Sequence, residues 1–165
     1  MEDYRLDLSG KKLEHADLSN VNLSGVNLSG ANLTRVFLEN ANLFRANLSG
    51  ANLSCANLSG VDLTDTVLNT PFMPEANLTE VNLSGVNLEG ANLYRANLTG
   101  ADLTGAKLSY ADLTGVDLSN ANLTNVNLIN ADLSGADLSG VKSSDIIGTP
   151  EALPAGWSLI DRKRS

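Results

Sequence analysis

The chain is poor in the residues from which catalytic sites and conventional cores are made. Its 165 residues include one cysteine, one histidine, one tryptophan, three phenylalanines, three tyrosines and four prolines. A single cysteine, Cys55, excludes an intramolecular disulfide and fits a reducing compartment. One His and one Cys cannot assemble a Cys/His metal centre. An acylating triad needs a histidine beside its nucleophile, and His15 falls at a position expected to face solvent, so no enzyme site is visible. Glycines recur in stretches such as SGANLSG, but no GxxxxGK[ST] phosphate cradle occurs and no cofactor is expected. There is no run of 18 apolar residues, and the opening MEDYRLDLSG holds no apolar h-region. Neither a membrane span nor a signal peptide is therefore expected, which points to a cytoplasmic protein without a membrane partner. Basic residues are also scarce: 11 Lys and Arg stand against 19 Asp and Glu, for a formal charge of −8. Direct nucleic-acid binding needs a basic footprint and is not expected, whereas an acidic surface suits a partner with a basic one.

What the chain has in abundance is a period. Leucine recurs at every fifth position from Leu8 to Leu138, with Met73 the one substitute, giving (138 − 8)/5 + 1 = 27 repeats. Two residues before each centre stands Ala or Val in 23 of 27 repeats, failing at Leu6, Lys11, Thr66 and Pro71. Between them stands Asn or Asp in 22 of 27, failing at Lys12, Phe37, Val67, Phe72 and Lys107. A helix turns about 100° per residue, so a five-residue step would scatter the leucines around its axis. A straight strand would send successive leucines to opposite faces. A mixed unit keeps them together: three extended residues put Ala/Val and Leu inside with Asn/Asp outside, and a two-residue corner restores the phase. Ser-Gly, Ser-Asn and Thr-Gly suit such corners because Gly and Asn accept positive φ. Repeated corners wind the chain into a tube whose coils pair as parallel strands with a right-handed sense. The spacing alone leaves the number of sides open.

Repeats such as Ala31-Asn32-Leu33-Thr34-Arg35 and Ala131-Asp132-Leu133-Ser134-Gly135 closely resemble the A(D/N)LXX motif of the pentapeptide repeat family, over residues 6 to 140. The resemblance implies an all-β fold, a right-handed quadrilateral parallel β-helix with four repeats and 20 residues per coil. On that reading 27 repeats make about 6.75 coils and a rod about 32 Å long at the usual strand spacing. Residues 1–5 would be a lead-in and 141–165 a C-terminal capping segment and tail, with Ile146, Ile147, Trp157, Leu159 and Ile160 as the lid. Stacked amides, for instance Asn22 with Asn42 or Asn77 with Asn97, would form ladders outside. The N-terminal coil has little to cover it, and an open strand edge suggests an end-to-end homodimer.

Departures from the repeat carry the functional information. Residues 66–75, TVLNTPFMPE, read either as two degenerate repeats or as a protruding loop. Arg35, Phe37, Phe44, Arg45, Phe72, Tyr94 and Arg95 combine arginine with aromatics at outward positions, the composition of protein-binding hot spots. Asp102, Asp112, Asp117, Asp132 and Asp137 form a candidate acidic strip. The leading expectation is a non-enzymatic rigid scaffold for an unidentified protein partner. The family resemblance adds an alternative, since its quinolone-resistance branch mimics duplex DNA and binds DNA gyrase. This chain shares the rod and the acidity, but its faces are rich in uncharged Asn and its tail does not read as the dimerising helix of that branch.

Overall fold

The computed structural model describes residues 6–158. Every bridge between segments is parallel and joins residues 20 apart, from Asp7 with Asn27 to Asp132 with Ala152. Five residues per side and 20 per coil give four sides. We number them by their outward residues. Side 1 carries Asp7, Asn27 and so on to Ile147; side 2 runs from Lys12 to Ala152; side 3 from Asp17 to Asp137; and side 4 from Asn22 to Lys142. No helix occurs among the described residues, and none can therefore cross a membrane as a helix.

The interior is a continuous stack of leucines with small neighbours. From Leu23 to Leu138 every central leucine, and Met73, is buried, and so from Val26 onward are the Ala and Val two residues before them; Val21 is exposed and Thr66 only partly buried. Only the first coil is looser: Leu8, Leu13, Ala16 and Leu18 are partly buried against the stack. Each fully buried leucine contributes about 2 kcal/mol, which exceeds the cost of ordering its repeat only when neighbouring coils cover it.

The corners explain the rest of the motif. Every fifth residue from Gly10 to Asp145 takes positive φ. From Gly10 to Gly140, except before Pro71, it is the third position of a turn in which the next residue donates back to the Leu or Met73 carbonyl, as Ala31 N–H does to Leu28 O at 3.0 Å. The outward Asn or Asp serves the same turn. In all 22 repeats that have one, its Oδ1 accepts the N–H of the residue two further on. Either residue supplies that oxygen, so the position selects for an Asx side chain and not for charge. Amide ladders form where the remaining geometry allows, as from Asn77 Nδ2 to Asn57 Oδ1 at 3.0 Å and from Asn47 to Asn27 at 3.3 Å. The expected pairs Asn22 with Asn42 and Asn77 with Asn97 stack through their backbones without such an amide bond.

Residues 66–75 keep the five-residue register: Val67 pairs with Asn47, Phe72 with Asn52 and Asn92, and Leu68 and Met73 are buried. Pro71 has no N–H to close the turn on Leu68 O, so that corner is a bend. Pro74 suits its corner, whose following residue, Glu75, has φ 56°. Having no N–H, it also needs no Asx partner, which leaves position 72 free to be phenylalanine. Among the described residues the ladder lapses twice. No bridge joins Asn42 to Asp62 on side 4 or Val67 to Asn87 on side 1. The segment between follows the coil above along side 4 and the coil below along side 1, so it is tilted between its neighbours.

Beyond Leu138 the five-residue spacing continues in the bridges of Lys142, Ile147 and Ala152, although Ser143 and Gly148 replace the central leucines. Of the expected lid, Ile146 packs against the core, together with Val141 and Leu153. Ile147 and Trp157 do not; they are 50% and 48% exposed. The spacing is the reason for Ile147, which takes the outward position above Asn127. Leu159 and Ile160 lie outside the described residues.

Candidate interaction edge

A four-sided rod has four edges, each a column of corner residues 20 apart. The column between sides 2 and 3 reads His15, Arg35, Cys55, Glu75, Arg95, Gly115, Gly135. All seven take positive φ. Main-chain bonds tie consecutive members together: Arg35 N–H donates to Ser54 O at 2.9 Å, Cys55 N–H to Pro74 O at 2.9 Å and Glu75 N–H to Tyr94 O at 2.8 Å. Cys55 Sγ lies 3.8 Å from Glu75 Oε2.

This edge differs from the others in what it puts at strained positions. Between Gly10 and Asp145 there are 12 glycine and 16 non-glycine corners; seven of the 16 are Asn or Asp, which leaves nine residues that disfavour positive φ. Five of those nine, from His15 to Arg95, stand on this one edge. The left-handed conformation costs such residues about 1–2 kcal/mol each relative to glycine's freedom. The backbone could use glycine there, as it does at Gly115 and Gly135.

The aromatic candidates flank the same column. Phe37 on side 3 is 47% exposed and Phe72 on side 2 is 46% exposed. Tyr94 is half-buried, with the Arg95 guanidinium 5.0 Å from its ring centroid. Beside Phe37, Glu39 links coils by accepting from Ser19 Oγ at 3.0 Å and from Asn57 Nδ2. The structure thus brings Arg35, Phe37, Phe72, Tyr94 and Arg95 to one edge. It separates Phe44 and Arg45, which stand on the diagonally opposite edge, Arg45 lying 4.8 Å over the Phe44 ring.

Four of the five candidate aspartates continue the same edge upward. Asp112 and Asp132 pair on side 2, Asp117 and Asp137 on side 3, on either side of Gly115 and Gly135. Asp102 is apart from them, on side 4 between Asn82 and Asn122. The Ser134 hydroxyl and N–H, with the Thr114 hydroxyl, hold the Asp132 carboxyl below its ordinary value. The Ser139 hydroxyl and N–H do the same for Asp137. These carboxylates remain charged because the corner solvates them. Among the described residues no three His, Cys, Asp or Glu side chains are placed to share a metal ion.

One feature escaped the residue-by-residue reading of the sequence. Residues 6–60 carry four cations (Lys11, Lys12, Arg35, Arg45) and four anions (Asp7, Glu14, Asp17, Glu39), a net of 0. Residues 61–158 carry three cations (Arg95, Lys107, Lys142) and 12 Asp and Glu, a net of −9. Totals over the chain hide this division; counting by coil would have revealed it.

The chain matches the family model for pentapeptide repeats in eight copies, over residues 5–40, 41–69, 75–109 and 101–140. The matches skip residues 70–74, where Pro71, Phe72 and Pro74 replace repeat residues. Among solved structures it is similar to HetL, a pentapeptide repeat protein involved in heterocyst differentiation regulation from the cyanobacterium Nostoc sp. strain PCC 7120. The identity is 27% over 87% of this chain and 90% of that one, with a TM-score of 0.50. It is also similar to a trypsin-treated form of QnrB1, a plasmid-mediated fluoroquinolone resistance protein, at 22% identity over 86% of this chain and 84% of that one, with a TM-score of 0.51. At that identity the likeness to QnrB1 concerns the fold alone. No curated protein matches the chain. The chain belongs to the pentapeptide repeat family and folds as its right-handed quadrilateral β-helix.

Proposed function

We propose that this protein is a non-enzymatic, cytoplasmic scaffold that binds another protein along the edge between sides 2 and 3. Pentapeptide repeat proteins are generally structural or interaction scaffolds. The observation that carries the reading is the column from His15 to Arg95, which keeps charged and polar side chains where the backbone favours glycine. Side chains that cost stability and pack nothing inside are held for what they meet outside. Arg35, Phe37, Phe72, Tyr94 and Arg95 supply the aromatic and guanidinium anchors of such an edge. The test is capture of a partner from the native cytosol by the immobilised protein. Phe37→Ala, Phe72→Ala and Tyr94→Ala should each weaken that capture about tenfold or more. Equal capture by all three variants would remove this edge from the account.

A second reading follows from the charge division. Nine net negative charges over residues 61–158, with Asp112, Asp117, Asp132 and Asp137 on adjoining sides, would let the upper rod imitate duplex DNA toward a type II topoisomerase such as DNA gyrase. HetL is described as acting in differentiation regulation and QnrB1 in fluoroquinolone resistance, and neither role is carried over by fold alone. On this reading gyrase supercoiling is inhibited at low salt. The inhibition falls steeply with ionic strength and is lost when those four aspartates become asparagine, a change that keeps each Asx corner intact. Absence of inhibition at concentrations on the order of tens of micromolar would dismiss it.

A further inference from the structure

Each of the two ladder lapses opens a cleft, and each cleft has an aromatic wall. The opening on side 4, of ≈ 340 Å³, is lined by Asn42, Asp62 and Phe44 among others. The opening at side 1, of ≈ 380 Å³, is lined by Asn69, Thr70, Asn87, Glu89, Gly90 and Tyr110. In the first, the chain itself places a guanidinium on the ring, Arg45 on Phe44. Tyr94, the other aromatic that follows a central leucine directly, is likewise covered by its neighbour Arg95. Tyr110 is followed by Ala111, and among the described residues no cation lies over its ring. It is 60% exposed and holds φ 60°, the only Phe, Tyr or Trp at a left-handed corner among the described residues.

We propose that the cleft between Asn69, Glu89 and Tyr110 is a binding site for a guanidinium group, the arginine side chain of a protein partner. Where the ladder lapses, no backbone hydrogen bond joins residues 65–70 to 84–89, although such bonds join the neighbouring coils on either side. The carbonyls of Asn87 and Glu89, which the Leu68 and Thr70 N–H groups would otherwise engage, are released toward the opening. With the Glu89 carboxylate and the Asn69 side chain they form an acceptor-rich rim. A guanidinium has five donors and no acceptor, pairs bidentately with a carboxylate and stacks on an aromatic face. The Leu68 and Thr70 N–H groups stand on the opposite rim, where they could suit an anion, but Glu89 opposes one. Lys107 is paired with Asn87 on the same side and competes with the occupant.

This site lies on the edge between sides 1 and 2, apart from the column of the preceding proposal, and does not depend on it. It is tested with the full chain by titrating N-acetyl-arginine amide while following backbone amide shifts. Saturable shifts are expected at Asn69, Asn87, Gly90 and Tyr110, with none from the neutral isostere N-acetyl-citrulline amide. Glu89→Gln should weaken binding about tenfold and Tyr110→Ala about threefold, while Lys107→Gln should strengthen it about twofold. Circular dichroism checks that each variant is folded. All three substitutions are at exposed positions. Shifts that are equal for citrulline, that survive both Glu89→Gln and Tyr110→Ala, or that follow Asp112 and Asp132 and leave the cleft unchanged would overturn the proposal.

Discussion

The same edge of the rod has two halves that share a backbone and differ in chemistry. From His15 to Arg95 its corners are residues that resist positive φ; at Gly115 and Gly135 they are glycine, flanked by four aspartates. The turns are alike in both halves: Arg95 N–H donates to Thr114 O at 3.0 Å, and Gly115 N–H to Ser134 O at 2.9 Å. Since the upper half shows that glycine suffices, folding does not require the arginines, cysteine and glutamate of the lower half. The charge boundary lies lower than the edge boundary, with no net charge over residues 6–60 and −9 over 61–158. A repeat fold separates two tasks that globular proteins mix. The inward positions hold the structure, and the outward positions can vary coil by coil.

That separation predicts a hierarchy of effects. The largest belongs to the shared interior: Leu78→Ala should cost about 2–5 kcal/mol in urea denaturation, because the coils above and below cannot close on the cavity. Leu8→Ala, in the partly buried first coil, should cost much less; equal losses would mean that the first coil is as tightly packed as the middle. Next comes the reverse of the natural choice at a corner. Gly135→Arg should destabilise by about 1 kcal/mol through its positive φ alone, because a Cβ there meets nothing within 4 Å. A neutral result would mean that the corners carry no strain. The smallest effect is with pH. The carboxyls of Asp7 and Asp17 in the lowest coil, like those of Asp132 and Asp137 above, are held below their ordinary value, chiefly by the N–H or hydroxyl of a following serine. As pH falls below that ordinary value the unfolded chain takes up protons first, so their contribution is present above it and is lost as pH falls through the folded values. Stability should therefore be level near neutrality and decline below about pH 4. Asp132→Asn with Asp137→Asn should flatten part of the decline; an unchanged profile would show that these corners do not favour the charged form.

Much of this was legible in the amino-acid order. The five-residue recurrence of Leu with Ala or Val allows only a coil with regular corners, and the likeness to the pentapeptide family supplied four sides. The column Arg35, Cys55, Glu75, Arg95 follows from stacking every twentieth residue. Other features depend on geometry that a repeat pattern does not encode. The outward Asn serves its own corner in every repeat that has one, a local contact that forms without the next coil, and shares that oxygen with its counterpart one coil away only at some positions, such as Asn57. The lapse beside Asn42 and Asp62 has no signal in its regular repeats, since it arises from the tilt of the segment that leads to Thr66 and Pro71. Phe44 and Arg45 share the composition of Arg35 and Phe37, but half a coil carries them to the opposite edge.

The central claim is that the lower edge is kept for binding at a cost to folding. The most direct test is the denaturation free energy of the variant with Arg35→Gly, Cys55→Gly, Glu75→Gly and Arg95→Gly together. The account predicts a fold more stable than the parent by about 4–8 kcal/mol, as four strained corners each relax by about 1–2 kcal/mol. A less stable variant would contradict it, and would mean that this column holds the rod together.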